Sequence, residues 1–225
     1  MPRNSSQTFS IASACTALIL LLTLTIASVS RHGKAEPRRA RHIKVAIDAS
    51  YSNSSQLGSS IRMTSHTSSM LGEDDRLSVY RVDDKCKKVF PIASPSAAPP
   101  LDTDRFRADL IDSLQSLSKE HGTHSLEFWQ DAIATSIPGM PSAYYYLTDG
   151  FEENKTPAEI AALRKAAEQL AASRDVRAVY LMGLNPKTHP FWRSTFAALG
   201  ARLHITGPLT RESIAQFEEA VDANW

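Results

Sequence analysis

After residue 42 the chain alternates between short apolar runs and segments whose apolar residues recur at three and four positions. The first pattern is typical of strands buried on both faces, and the second is typical of amphipathic helices. The predicted buried strands are 43–48, 143–148, 176–184 and 201–206. Helices are predicted over 106–117, 126–133, 157–170, 191–199 and 211–223, with a weaker Ser-rich helix between residues 52 and 70.

A hairpin and a helix cap refine this pattern. Residues 76–82 and 86–90 read as two strands joined by the turn 83–85, which predicts an antiparallel pair. The sequence Thr156-Pro157-Ala158-Glu159 is a capping box with proline at the first helical position. Strands that alternate with helices predict an α/β fold, namely a doubly wound, mostly parallel sheet with one antiparallel edge strand and helices on both faces.

Oxygen-bearing side chains follow two of the buried strands. Asp48, Ser50 and Ser52 leave the end of the first strand as a D-x-S-x-S string, and Asp149 follows the strand 143–148. Thr123 follows Gly122 at a predicted helix start. Ligands of open parallel sheets bind beyond the carboxyl ends of the strands, and carboxylate and hydroxyl oxygens suit a hard cation such as Mg²⁺.

These motifs resemble the von Willebrand factor A (VWA) domain family over roughly residues 42–225. In that family the D-x-S-x-S string, a threonine in a Gly-Thr turn and an aspartate after the fourth strand form the metal-ion-dependent adhesion site. The resemblance implies five metal ligands here: Asp48, Ser50, Ser52, Thr123 and Asp149. It implies Mg²⁺ as the ion, with Mn²⁺ or Ca²⁺ as substitutes, and Asp48 acting through water. The chain departs from the family pattern at Tyr51, where many members have glycine.

The site requires one particular strand arrangement. Asp48 and Asp149 reach the same cation only if the strand 43–48 lies beside the strand 143–148. We therefore expect these two strands to be neighbours in the sheet.

The amino-terminal region differs from the rest of the chain. A tail (1–10) precedes an apolar segment (11–30), of which residues 11–29 carry no charge and are long enough to cross a bilayer as a helix. A basic linker (31–41) leads to the domain (42–225). We expect a single membrane anchor, with a cleaved signal peptide as the alternative, in which case the domain is secreted or periplasmic.

Charge and cysteine content limit the partners. Residues 31–44 carry six Lys/Arg against Glu36, a bias that favours a cytoplasmic domain unless the segment directs export, so the side stays open. Residues 45–225 carry 18 basic and 23 acidic side chains, which argues against nucleic acid as a partner. Cys86 is the domain's only cysteine, so neither an internal disulfide nor a cysteine-based metal site is expected.

Three classes of function remain. The first is a non-enzymatic binding module whose bound cation is completed by an acidic side chain of a partner protein. The second is an assembly scaffold with a vestigial metal site. A phosphoryl hydrolase that uses Asp48 and Mg²⁺ comes third, because Ser50 stands where aspartate-nucleophile enzymes need a second carboxylate. The chain also lacks a G-x-S-x-G elbow, a Gly-rich phosphate loop and an H-E-x-x-H motif.

Other polar residues near the motifs are given structural interpretations. His124 and His189 are interpreted as solvated loop histidines. Glu152 and Glu153 are interpreted as a charged approach to the following helix. The aromatic residues of the strands and helices are expected to pack in the core: Tyr144, Tyr145, Tyr146, Trp129 and Trp192.

Overall fold

A computed structural model describes residues 39–91, 96–114, 123–152 and 156–215. The chain divides into two units, Met1–Arg38 and Arg39–Trp225, and every described residue belongs to the second. Within these ranges no helix has the length and apolar character needed to cross a membrane. The predicted span 11–30 lies outside them, so the anchor stays a prediction.

Six strands form one sheet, in the order β3-β2-β1-β4-β5-β6. The strands are β1 (His42–Asp48), β2 (Arg76–Val82), β3 (Cys86–Phe90), β4 (Ser142–Leu147), β5 (Val176–Met182) and β6 (Leu203–Ile205). All neighbouring pairs are parallel except β2 and β3, which form the predicted antiparallel hairpin at one edge. The mostly parallel sheet with one antiparallel edge strand is therefore confirmed.

Helices cover both faces of the sheet. They are α1 (Ser54–Ser69), α2 (Thr103–Leu114), α3 (Ser125–Ala134), α4 (Pro157–Ala172) and α5 (His189–Thr195), and a 3₁₀ helix spans Ala197–Arg202. Helix α4 begins where the capping box predicts, since Thr156 Oγ1 accepts a hydrogen bond from the Glu159 amide and the Glu159 carboxylate accepts one from the Thr156 amide.

Successive side chains of each strand point to opposite faces of the sheet, so the core has two parts. Ile43, Val45 and Ile47 of β1 pack on the face covered by α1 and α2, whereas Ala46 packs on the face covered by α3, α4 and α5. Tyr144, Tyr145, Tyr146, Trp129 and Trp192 are all buried, as predicted. A sheet buried on both faces explains the nearly continuous apolar runs of its central strands.

Several element boundaries differ from the predictions. The expected helix 191–199 is two pieces, because α5 ends at Thr195 and the 3₁₀ helix follows, with Gly200 at φ 56° inside it. The last strand has three residues, Leu203–Ile205, where 201–206 was expected. Helix α2 is described to Leu114, and the closing helix is described only over 211–215. Periodicity locates elements better than it locates their ends.

The strand order reverses between β1 and β4. From β1 the chain crosses to β2 on one side, and it later returns to β4 on the other, so these two neighbours flank a crevice at their carboxyl ends. Ile47 is paired with Leu147, which sets Asp48 beside Thr148 at that edge. The predicted adjacency of the strands 43–48 and 143–148 is therefore confirmed, and the ligand-binding position of an open α/β sheet falls on the predicted motif residues.

Candidate metal site

Asp48 is held at the end of β1 with its carboxylate fully buried. Its Oδ1 accepts a hydrogen bond from the Ser50 amide at 2.9 Å, which is the local turn expected of an aspartate that leaves a strand. Its Oδ2 accepts one from the Thr148 hydroxyl at 2.6 Å. These two contacts fix the orientation of the carboxylate in the crevice between β1 and β4.

The three predicted hydroxyl ligands lie at Asp48 or next to a hydroxyl that does. Ser50 Oγ lies 3.1 Å from Ser52 Oγ, and Thr123 Oγ1 lies 3.5 Å from Asp48 Oδ1. Ser50 and Thr123 are buried, whereas Ser52 is exposed at the mouth of the crevice. Four of the five predicted ligands thus come together from two separate loops.

Asp149, the fifth predicted ligand, stands one residue beyond Thr148. Its Oδ1 accepts a hydrogen bond from the Phe151 amide at 3.0 Å, and its side chain is buried. Its carbonyl oxygen accepts bonds from the Asn185 amide at 2.8 Å and the Thr188 hydroxyl at 3.2 Å. The loop after β5 therefore holds Asp149 in place.

Gly150 gives the Asp149 loop its shape. It adopts φ 79°, a left-handed conformation that favours glycine. A Cβ at this position would lie 2.5 Å from Thr188 Oγ1 and 2.8 Å from Trp192 Nε1. The Trp192 indole also donates a hydrogen bond to the Gly150 carbonyl at 3.1 Å, so the backbone at Gly150 packs closely against α5.

The electrostatics of the crevice are unbalanced. Burial raises the pKa of Asp48 to about 6, hydrogen bonds from Ser50 and Thr148 oppose that rise, and the nearby Asp149 carboxylate adds to it. In the described part of the chain no lysine or arginine forms an ion pair with either aspartate. Buried carboxylates without a cationic side chain are a charge arrangement that a metal ion would balance.

The donor atoms suit a hard divalent cation. They are carboxylate and hydroxyl oxygens, which Mg²⁺ and Ca²⁺ prefer over the nitrogen and sulfur ligands of transition metals. Within the described ranges no group of three or more His, Cys, Asp or Glu side chains is arranged to hold a metal. Any ion here would accordingly depend on the hydroxyls of Ser50, Ser52 and Thr123 as well as on the two aspartates.

The remaining candidate residues have structural partners. His189 lies at the start of α5, half-buried, with Nε2 at 3.3 Å from the Leu184 carbonyl oxygen, so it is not the freely solvated histidine that was expected. His124 precedes α3, and its amide donates to the Asp83 carbonyl at 2.9 Å. Glu152 accepts a hydrogen bond from the Ser125 hydroxyl, while Glu153 lies outside the described residues.

Three supporting residues were not predicted from the sequence. Thr148 donates to Asp48, and Asn53 Nδ2 donates to the Asp48 carbonyl at 2.8 Å. Gln56 Nε2 donates to the Gly183 carbonyl at 2.9 Å, which ties α1 to the end of β5. Thr148 carries a usable signal, because it directly precedes Asp149 at the end of a buried strand. Asn53 and Gln56 carry none, since polar residues at a helix start are common.

Comparison with known proteins is informative at the level of structure. No family model matches the sequence, and no curated protein is similar to it at a significant level. Solved structures do match. A von Willebrand factor type A protein from Catenulispora acidiphila superposes with a TM-score of 0.58 at 17% identity, covering 82% of this chain and 42% of that one. The chain thus corresponds to less than half of that protein.

Two further structures agree with the first. BatB from Bacteroides thetaiotaomicron, described as a conserved hypothetical protein, has a TM-score of 0.58 at 15% identity, covering 81% of this chain and 98% of that one. The PilB minor pilin from Streptococcus sanguinis has a TM-score of 0.59 at 10% identity, covering 84% and 63%. The described residues between 39 and 215 therefore have the fold of VWA domains. At these identities the comparison establishes the fold alone.

Proposed function

We propose that this chain is a non-enzymatic protein-binding module that holds Mg²⁺ at the crevice between β1 and β4. The observation that carries the proposal is the buried Asp48 carboxylate, which has Asp149 nearby, hydroxyl oxygens around it and no cationic partner among the described residues. The cation supplies a coordination position that an acidic side chain of a partner protein completes.

The residues have distinct parts in this proposal. Ser50, Ser52, Thr123 and Asp149 hold the ion, and Asp48 orients it through water. Thr148 keeps Asp48 in position through its 2.6 Å hydrogen bond. Because Ser52 is exposed while Asp48 is buried, the partner approaches from the Ser52 side.

Solved structures with this fold include proteins named for attachment. PilB of Streptococcus sanguinis is a minor pilin, and SpaC of Lactobacillus rhamnosus GG is a pilus adhesin. These names support a binding role over an enzymatic one. We further propose that the segment 11–30 anchors the module to a membrane. The full chain is then expected to resist carbonate extraction, and a mature amino terminus near residue 30 would instead indicate a cleaved signal.

One observation favours an assembly scaffold with a vestigial site as the second candidate. Both oxygens of the Asp48 carboxylate already accept a hydrogen bond within the chain, one from the Ser50 amide and one from Thr148. These hydrogen bonds stabilise the Asp48 carboxylate without a metal. The hydrolase is a distant third, since no further observation supports it.

The proposal is tested by metal-dependent capture. The full chain, immobilised, is exposed to extracts of the source cells in Mg²⁺ or in EDTA, and bound proteins are identified by mass spectrometry. We expect a partner that is retained in Mg²⁺, released by EDTA and not captured by Asp48→Ala. Asp109→Ala is the matched control, because Asp109 is an exposed aspartate on α2 and should leave capture unchanged.

Two results would separate the candidates. A partner that binds equally in Mg²⁺ and EDTA and to Asp48→Ala would refute the metal bridge and support the scaffold. Loss of capture in both aspartate variants would show that the effect is not specific to the crevice.

A further inference from the structure

Two exposed aromatic side chains lie on the loops that carry the candidate metal ligands. Tyr51 is 66% exposed and Phe151 is 41% exposed. Only one other large apolar side chain of the described residues is exposed, namely Leu101 at 93%, next to α2. Aromatic residues are enriched at the centres of protein interfaces, and apolar side chains exposed in the free protein often mark such interfaces. One such residue on each of the two ligand-bearing loops indicates a role for both in binding at this site.

The two loops belong to neighbouring strands. Tyr51 directly follows Ser50, whose amide donates to Oδ1 of Asp48 at 2.9 Å. Phe151 donates its own amide to Oδ1 of Asp149 at 3.0 Å. Since β1 and β4 are adjacent and parallel, both aromatic residues lie at the same edge of the sheet, one on each side of the crevice.

The loop after β5 adds a basic residue at this edge of the sheet. The exposed Lys187 lies on the loop after β5, and its amide donates to Asn185 Oδ1 at 3.0 Å. The Asn185 amide in turn donates to the Asp149 carbonyl at 2.8 Å. The loop that holds Asp149 therefore carries an exposed basic residue, whose charge attracts carboxylates.

We propose that Tyr51 and Phe151, here called the aromatic rim, select partner segments in which the metal-binding aspartate or glutamate is flanked by apolar side chains. The inference rests on the proposed function, because the cation holds the carboxylate and the rim contacts its neighbours. When a partner covers an exposed aromatic ring, apolar surface is removed from water, which favours binding. Aromatic residues are also among those whose truncation costs an interface the most affinity. The rim thus sets sequence preference, while the cation sets the requirement for an acid.

Selection from a random peptide library tests the proposal. The purified full chain is immobilised in mild detergent with Mg²⁺, and bound 12-residue peptides are eluted with EDTA and sequenced. We expect enrichment of Asp or Glu with an aromatic or large aliphatic residue next to it. The same selection against the Tyr51→Ser/Phe151→Ser double variant is expected to keep the acidic residue and lose the apolar neighbour.

Affinities of a selected peptide give the second readout. By fluorescence polarisation, each serine replacement in the rim is expected to weaken binding about 10-fold. Leu101→Ser is the matched control, since it removes an even more exposed apolar side chain from outside the crevice loops and should leave the affinity unchanged. Exchanging the acidic residue of the peptide for its amide is expected to abolish binding to all variants.

The outcomes distinguish the rim from the metal bridge. Mg²⁺-dependent acidic peptides with no apolar preference would overturn the rim and leave the proposed function standing. Failure to select any Mg²⁺-dependent peptide would overturn both. Mg²⁺-dependent self-association of the full chain, lost in the double variant, would make a second copy of this chain the occupant and overturn the assignment to a separate partner.

Discussion

The two ends of β1 bury polar groups in opposite ways. At the amino end, Lys44 is fully buried, and its ammonium donates to the Ala132 carbonyl, to Thr135 Oγ1 at 3.3 Å and to Ser136 Oγ at 3.2 Å. At the carboxyl end, Asp48 is equally buried, but no lysine or arginine of the described residues pairs with it.

The difference separates a structural polar cluster from a candidate ligand site. The groups that Lys44 contacts lie at the carboxyl end of α3, where the helix dipole offsets part of the cost of burying a cation, and the Lys44 ammonium makes its hydrogen bonds within the chain. The carboxyl edge instead collects two carboxylates and three hydroxyls with no paired lysine or arginine among the described residues, and this is why we propose a cation there. A buried charged residue thus indicates a ligand site only when the groups around it are also taken into account.

The greatest loss of stability is expected from adding a Cβ at the glycine that follows β4, compared with the glycine that precedes it. Gly150→Ala forces a Cβ to within 2.5 Å of Thr188 Oγ1 at a left-handed position, and we expect a loss of about 3 kcal/mol in unfolding free energy. Gly139→Ala is the control, because Gly139, in the turn before β4, has a similar φ of 77° and no atom within 4 Å of the position that a Cβ would take. It should cost about 1 kcal/mol. Equal losses in urea unfolding would contradict the tight packing of the Asp149 loop.

The next effect is metal-linked stability. Mg²⁺ at a hundredfold excess over its dissociation constant is expected to stabilise the full chain by about 2.7 kcal/mol, because it binds only the folded state. Asp48→Ala should abolish this gain and keep the fold, whereas Lys44→Met should keep the gain. Thermal melts with Mg²⁺ and with EDTA measure both. A gain that persists in Asp48→Ala would place the cation elsewhere.

A pH dependence is expected from the amino end. Burial, opposed by Asp131 and assisted by Lys88, lowers the pKa of Lys44 to about 7 from 10.5. Between these values the unfolded chain binds more protons than the folded chain, so the contribution of Lys44 to stability rises with pH. From pH 7.5 to 9.5 the wild type should gain on the order of 2 kcal/mol relative to Lys44→Met, measured by urea unfolding in EDTA. A constant difference would show that Lys44 remains charged when buried.

The smallest effect is at a neutral ligand. Ser50→Ala removes one hydroxyl oxygen and no charge, so the Mg²⁺-dependent rise in melting temperature should shrink without disappearing. Ser54→Ala is the control, since Ser54 is an exposed serine at the start of α1 outside the donor set. If Ser50→Ala removed the response as completely as Asp48→Ala, charge would not be the dominant contribution of this site.

Local signals made much of the fold predictable from the sequence. The Asp83-Asp84-Lys85 turn identified the hairpin, the Thr156 box fixed the start of α4, and apolar runs located the strands. The adjacency of β1 and β4 followed from requiring Asp48 and Asp149 to share one cation. The sequence thus located the candidate ligands because each stands at a strand or helix boundary.

What escaped prediction depends on long-range contacts. Thr148 and Asp48 are 100 residues apart, so their hydrogen bond could not be predicted from neighbouring residues, although the place of Thr148 beside Asp149 at a strand end was a usable signal. Helix α1 buries serine and threonine residues because their hydroxyls bond the preceding turn, as Thr64 does to the Ser60 carbonyl at 2.8 Å. Lys44 interrupts the apolar run near the amino end of β1, and only the contacts with α3 explain why a lysine is accommodated there.

Calorimetric titration of the full chain with Mg²⁺ measures directly whether the crevice between β1 and β4 binds a metal ion. We expect saturable binding of about one ion per chain, abolished by Asp48→Ala and unchanged by Asp109→Ala. Absence of binding at millimolar Mg²⁺, or equal binding by Asp48→Ala, would contradict a metal site between β1 and β4 and leave the vestigial scaffold as the better account.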